Sequence, residues 1–446
     1  METPMPLASS PVPPLPPHQL LIFLLQVFAL LGLAILMGRA AARIGMPALV
    51  GELLVGLLLG PSLLGHIAPD LSGWLLPREA GQMHLLDAFG QIGVLLLVGI
   101  TGSHLDFAMV RRRGRTAAQV SLSGLLIPLA LGVGVGYLVP GSLVPDSVDR
   151  PVFALFLGVA MCVSAIPVIA KTLTDMNLLH RNIGQLTLAA GIVDDIIGWL
   201  LLSVVSALAV SHLDGGRLGL SLLYLALVVA FAALPGRPLA RWILQRAGAS
   251  AGPGGTVAAA TALMLGGAAA TQAMGLEAVF GAFVAGIVIG TCGAIEPHAL
   301  APLRTVVLGV LAPVFFATVG LRVDLSALAR PEVLGTGLAV LAVAILGKFG
   351  GAYLGARLGR LGRWEALALG AGMNARGVIE VVVAMAGLNL GVLSGETFTI
   401  VILVAVVTSL MAPPILRVAM ARVEHTAEER LRGAALLGPE AGERIG

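Results

Sequence analysis

The sequence predicts an all-α polytopic membrane protein of about thirteen transmembrane helices, and three observations predict it. The first is composition: 57% of the 446 residues are hydrophobic and 11% are charged, against about 45–50% and 25% in soluble domains. The second is the recurrence of apolar runs of about 20 residues, the length that crosses a bilayer, separated by charges, Pro or Gly. The third is the placing of Arg and Lys on alternate loops, roughly 20 on one side and 5 on the other, the bias that marks a cytoplasmic face. A net charge of +3 spread over separate loops offers no basic face for nucleic acid. Cys162 and Cys292 lie in or beside apolar runs, which leaves neither a disulfide framework nor a zinc set.

Taken in order, residues 1–17 form a proline-rich tail without the positive start of a signal peptide, so the run at 18–43 reads as an uncleaved first helix. Spans at 47–64, 83–104 and 116–139 follow, the last two separated by Arg111, Arg112, Arg113 and Arg115. That cluster reads as a topology signal and is compatible with anionic lipid. The span at 151–175 is interrupted by Ser164 and Pro167, and the span at 181–210 carries Asp194 and Asp195 side by side. A long span at 217–247 with Pro235 and Pro238 precedes spans at 254–273, 275–292 and 298–321. Lys348 lies in the span at 332–358; Asn374, Arg376, Gly377 and Glu380 lie in the span at 363–389; the last span is 395–420. An odd count puts the N-terminus outside and the C-terminus in the cytoplasm. The residues from 421 to 446 show no strand pattern or glycine-rich phosphate loop, so a short cytoplasmic tail without a nucleotide-binding domain is expected there.

The chain is also written twice. Gly45, Ala48, Gly51, Gly56 and Gly60 recur 230 residues later as Gly275, Ala278, Gly281, Gly286 and Gly290, and the stretch ending at Asp106 parallels the one ending at Asp324, with Gly102 matching Gly320. Repeat one is expected at about 18–210, a connector at about 217–247 and repeat two at about 254–420. An odd number of spans separates matching elements, so the repeats are inverted, an arrangement that puts a substrate site at mid-membrane beside interrupted helices. A shift of 210 residues sets Ser164 on Asn374 and Pro167 on Gly377. Two crossed, broken helices are therefore expected, since Pro removes a donor and clashes with the preceding turn.

Asp194 and Asp195 organise the reading. A carboxylate at bilayer depth costs at least ~2.5–3.5 kcal/mol, so the pair must face protein, water or a cation. Lys348, one of two lysines in the chain, is the economical partner, and unlike Arg it can lose its proton when desolvated. Arg376 and Glu380, one turn apart, are placed to compensate the partial charges of broken helix ends or to take a direct part in transport. Burial favours the protonated carboxyl unless a cation supplies the opposing charge. Proton and cation then compete for one site, and a site that reorients only when occupied turns competition into exchange without a cofactor.

These residues carry a resemblance. SAIPVIAKTLTDMNLLHRNIGQLTLAAGIVDDIIGWLLL, the Lys348 helix, GMNARGVIEVVVA and MPALVGELLVGLLLGPSLLG resemble the monovalent cation:proton antiporter-2 family over nearly the whole chain. The resemblance implies the sodium/proton antiporter fold, a homodimer and a core bundle that moves as an elevator. It implies Asp195 as the carrier of Na⁺ and H⁺, Asp194 as the partner of Lys348 in the cation-free state, and Ser164 and Asn374 on the two crossed helices. Members with both aspartates and the lysine are electrogenic Na⁺/H⁺ exchangers, while GMNARGVIE with Glu380 looks more like K⁺-handling relatives. Secondary active exchange of Na⁺ for protons across the plasma membrane is expected, with K⁺ or Li⁺ as alternative cations and a passive cation channel as the alternative of another class. An enzyme is not expected: an intramembrane aspartyl protease needs carboxylates converging from opposite sides, not neighbours on one helix.

Overall fold

A computed structural model describes residues 15–429 apart from 45, 78–79, 106, 212–214, 295–298 and 427. Most of the proline-rich tail, the end of the C-terminal tail, and Gly45 and Asp106 of the repeat therefore lie outside the described residues.

The first helix, α1 (Pro17–Arg43), opens on Pro17, whose fixed φ suits a first helical turn. α2 (Ala48–Leu59) leads through the short α3 (Leu64–Ile67) and α4 (Pro69–Leu75) to α5 (Ala80–Ser103). α6 (Phe107–Leu138) breaks at Gly114, φ 37°, a left-handed value that Gly adopts without steric cost. Arg111, Arg112 and Arg113 are thereby set off from the span proper, 114–138, at whose start Arg115 lies. α7 (Arg150–Cys162) and α8 (Ile166–Asp175) are the halves of one interrupted crossing, and α9 (Asn182–Ser211) crosses whole.

α10 (Gly215–Phe231) continues through a π-helical turn at Ala232–Gly236 into α11 (Arg237–Ala273). The turn contains Pro235; the wider π loop relieves the missing N–H and the ring clash that would break an ordinary helix. α12 (Ala278–Thr291) is followed by α13 (Ala301–Val306), a second π turn at Val307–Leu311 and α14 (Ala312–Gly320). α15 (Pro331–Leu358), α16 (Arg363–Met373), α17 (Val378–Asn389) and α18 (Gly395–Met420) complete the chain.

Among the described residues ten helical stretches are long and apolar enough to cross a bilayer, or eleven with α16 and α17, bent by 42°, taken as one span. The sequence predicts thirteen. The difference lies at 151–175 and 275–292, where α7, α8 and α12 have only 13, 10 and 14 residues. A crossing of about 30 Å needs about 20 residues of continuous helix. The apolar runs are present; the helices within them stop short.

Two bundles result. One joins α1, α2, α5, α11, α12 and α14; the other joins α6, α7, α9 and α15 to α18. In the first, a Cβ on Gly56 of α2 would collide with the Ala317 carbonyl of α14, and a Cβ on Gly286 of α12 with the Gly99 carbonyl of α5. Gly56 and Gly286 are the same position of the 230-residue repeat, and α14 and α5 are its other matched stretch. Each half of the sequence thus packs its glycine stripe on a helix of the other half, by the close backbone approach that small residues allow in a membrane.

Below the second bundle, the segment after α18 folds back onto the start of α9. Arg181 donates to the Val423 and Glu424 carbonyls at 2.9 and 3.1 Å and lies 3.4 Å from Glu429. Glu429 in turn accepts from the Asn182 amide at 2.5 Å, capping α9 from outside the helix. Burial works to raise the Glu429 carboxyl, but the Thr426 and Asn182 amides and the Arg181 guanidinium outweigh it and hold the group below the ordinary carboxylate range.

Candidate functional site

The α7–α8 span loses its helix at residues 163–165 because Ser164 and the proline at 167 fall together, and α8 restarts with Pro167 as its second residue. The α16–α17 span loses its helix between Met373 and Val378, across Asn374 and Gly377. The two breaks lie against each other: Ser164 Oγ donates to the Met373 carbonyl at 2.9 Å, and the Ala165 amide approaches the Ala375 carbonyl at 3.4 Å. A Cβ on Gly377 would run into Val168 of α8, so the absence of a side chain there lets the broken helices cross.

A break orphans the last carbonyls of α7 in a place water does not reach. Arg376 takes two of them, donating to Ala160 at 3.2 Å and Met161 at 2.6 Å, and also to Ala344 of α15 at 3.2 Å. Lys348 takes the third, donating to the Cys162 carbonyl at 2.5 Å. Each cation then meets one acid: Arg376 pairs with Glu380 at 3.1 Å, and Lys348 with Asp194. Ser409 of α18 closes the other side by donating to the Arg376 carbonyl.

Asp194 and Asp195, both 0% exposed, differ sharply in their surroundings. Asp194 Oδ1 accepts from Ser121 Oγ at 2.6 Å, and Oδ2 accepts from Lys348 and lies 3.0 Å from Ser164 Oγ, whose single proton it shares with the Met373 carbonyl. Neither oxygen of Asp195 has a hydrogen-bond partner among the described residues, although the Ile166 amide at the start of α8 is near. The side chain of Asn374, at the other break, is also buried with its oxygen and nitrogen unmatched. Buried polar atoms in a folded protein are almost always satisfied. Open carboxylate oxygens beside crossed helix ends are chemically able to take a ligand of positive charge, a metal ion or a proton. Of the five charged residues at the crossing, Asp195 is the one left without a fixed counter-charge among the described residues.

The predicted residues thus fall in one place. Asp194, Asp195, Lys348, Ser164, Asn374, Arg376, Gly377 and Glu380 share the crossing, and Pro167 sits at the restart of α8. Ser121 is the member that sequence reasoning misses. It lies in an apolar run two residues from Ser123, and Ser123 merely bonds back to the Gln119 carbonyl of its own helix, so nothing local separates the two.

The family profile described as sodium/hydrogen exchanger, transmembrane, matches residues 27–422. The Na⁺/H⁺ antiporter NhaS4 of Synechocystis is 32% identical over 403 residues, covering 89% of this chain and 97% of that protein. Cation/H⁺ antiporter 20 of Arabidopsis thaliana is 32% identical over 384 residues, covering 82% of this chain and 45% of its own length. The structure of the sodium proton antiporter MjNhaP1 from Methanocaldococcus jannaschii at pH 8 superposes with a TM-score of 0.66 at 17% identity, over 90% of this chain and 99% of that one, a likeness of fold.

Proposed function

The chain belongs to the sodium/hydrogen exchanger family and is a multi-span antiporter of monovalent cations and protons, and we propose that its cation is Na⁺, bound at Asp195 and exchanged electrogenically. One observation carries the reading: Asp195 is buried with both oxygens open, while Asp194 beside it is fully engaged. A cation and a proton are alternative ways to satisfy such a carboxylate. Na⁺ is favoured by the paired aspartates with Lys348 and by the name of the full-length relative NhaS4; the Arabidopsis relative is named for cations without a choice among them.

In this mechanism the Na⁺-free state keeps Asp194 tied to Lys348 and a proton on Asp195. Arriving Na⁺ displaces the Asp195 proton, and the crossed helices supply further oxygens from Asn374 and the unwound backbone. Two protons leave for each Na⁺ when the Lys348–Asp194 link also gives one up, so one net charge moves per cycle, worth about 2.3 kcal/mol per 100 mV. Alternating access is an elevator movement of the bundle holding α7, α8, α9, α16 and α17 past the bundle of α2, α5, α12 and α14. The protein works as a homodimer in the lipid of the plasma membrane, N-terminus outside and C-terminus cytoplasmic, the sidedness supported by the distribution of basic residues.

Proteoliposomes with an internal pH dye test the function. Adding NaCl should collapse a preset proton gradient, LiCl should act similarly and KCl weakly, and Asp195→Asn should abolish the response. Full exchange in Asp195→Asn refutes the site; preference for KCl refutes the cation.

A further inference from the structure

A cavity of about 470 Å³ lies in the seam between the two bundles. Its walls come from both: Gln91 of α5, Gln272 of α11, Glu277 at the start of α12 and Phe315 of α14 on one side, Ser206 of α9 and Asn389 of α17 on the other. Among the described residues Glu277 is the only charged one in the lining. It occupies the N-cap position of α12 without capping it, since its side chain bonds none of that helix's amides. Among the described residues it has no cation within ion-pair distance, whereas three arginines elsewhere already have partners. Arg322 pairs with Asp87 at 2.7 Å, Arg330 pairs with Glu396 at 2.6 Å, and Arg150 donates to the Tyr137 and Val139 carbonyls.

The floor of the cavity points at the crossing. It reaches Val382, one turn beyond the first residue of α17, and Ser206 lies three turns beyond Asp195 on the same helix, about 16 Å at the α-helical rise. Val94 and Val382 are part of its lining, and Asp195 is fully covered. One uncompensated carboxylate among neutral amides and low-dielectric walls focuses its field into the cavity and raises the local concentration of cations. The amide and hydroxyl groups around it suit a cation that still holds water.

We propose that this cavity is the cation's approach to Asp195 from one face of the membrane, and that Glu277 is a cation-gathering residue within it, attracting a hydrated monovalent cation before it is dehydrated at the crossing. The proposal rests on Asp195 as the exchange site and adds a second, shallower site on the scaffold bundle. Because Glu277 belongs to one face only, its influence is one-sided.

The test measures the KM for Na⁺ in full-length protein reconstituted in sided proteoliposomes, with Na⁺ added at the Glu277 face or at the opposite face. Glu277→Gln should raise KM at its own face about threefold or more at low ionic strength, leave the maximal rate and the opposite face unchanged, and lose its effect as choline chloride screens the charge. A KM unchanged at the Glu277 face, or raised equally at both faces, overturns the proposal. Glu277→Cys guards against a folding defect. An impermeant anionic thiosulfonate should then lower KM and a cationic one raise it, and equal effects of the two reagents overturn the proposal as well. Asp195→Asn in the same vesicles separates the two readings: if it still exchanges, the proposed function fails; if it is silent while Glu277→Gln behaves as wild type, only the vestibule reading fails.

Discussion

Arg376→Met removes three hydrogen bonds to the carbonyls of Ala160, Met161 and Ala344 and the ion pair with Glu380, all in a place with no solvent to replace them. Met keeps an unbranched apolar stem but ends two atoms short of the guanidinium nitrogens, so a small void adds to the cost. Breaking a buried pair by removing one partner costs about 3–5 kcal/mol, because the other charge is left uncompensated. Glu380→Gln should also destabilise, leaving Arg376 charged but still bonded to the α7 carbonyls, so its cost should be the smaller of the two. The double variant carries neither charge, and its cost should fall short of the sum of the singles by about 0.5–3 kcal/mol, the range measured for coupled neighbours. It should not return to wild type, since the orphaned carbonyls remain. Equilibrium unfolding of detergent-solubilised protein, followed through the buried Trp199, reads all four corners of the cycle. A cost below about 1 kcal/mol for Arg376→Met, or strict additivity in the double variant, would refute the claim that Arg376 supports the broken helices by charge and hydrogen bonding together.

Two further outcomes follow from the same contacts. Ser121→Ala takes the donor from Asp194 Oδ1 and should lower stability by about 1.5–3 kcal/mol, the worth of a hydrogen bond to a charged group; in an Asp194→Asn background the cost should shrink, and an equal cost in both backgrounds contradicts the pairing. The clasp of Glu429 on α9 has a folded-state carboxyl held below its ordinary value of 4.5, so its contribution is fully present above that value and is lost as pH falls through the lower, folded one. Hydrogen exchange at the start of α9, corrected for intrinsic rate, should therefore quicken in acid, and Glu429→Gln should show the faster exchange already at neutral pH; identical protection in the variant contradicts it.

How much of this was legible in the sequence depends on whether the partners are near in the chain or announced by cost. Asp194, Asp195 and Lys348 announce themselves because charge at bilayer depth needs a reason. Arg376 and Glu380 are one turn apart, so local spacing alone pairs them. The breaks at Ser164 and Asn374 are readable as polar residues followed three positions later by Pro167 and Gly377, and the 230-residue echo of the glycine stripe is legible in the sequence itself. Ser121 is hidden because a single serine in an apolar run carries no cost that demands a partner, and the carboxylate it meets is 73 residues away. Glu277 is hidden for a different reason: at a helix start it looks like an ordinary terminal acid, and only the structure shows that it does not cap α12 and lines a cavity instead. The span count differs because apolarity is a property of the run, whereas crossing length depends on where helix geometry fails, and the failures at 163–165 are features of the site itself.

The central claim is that a metal ion and a proton are alternatives at Asp195. Proton release on cation binding measures it most directly, with purified, detergent-solubilised protein in a weakly buffered solution containing a pH dye. NaCl added to the wild type should acidify the solution in saturable fashion, choline chloride should not, and Asp195→Asn should release nothing. Saturable Na⁺ binding with no protons released, or undiminished release from Asp195→Asn, would contradict the account.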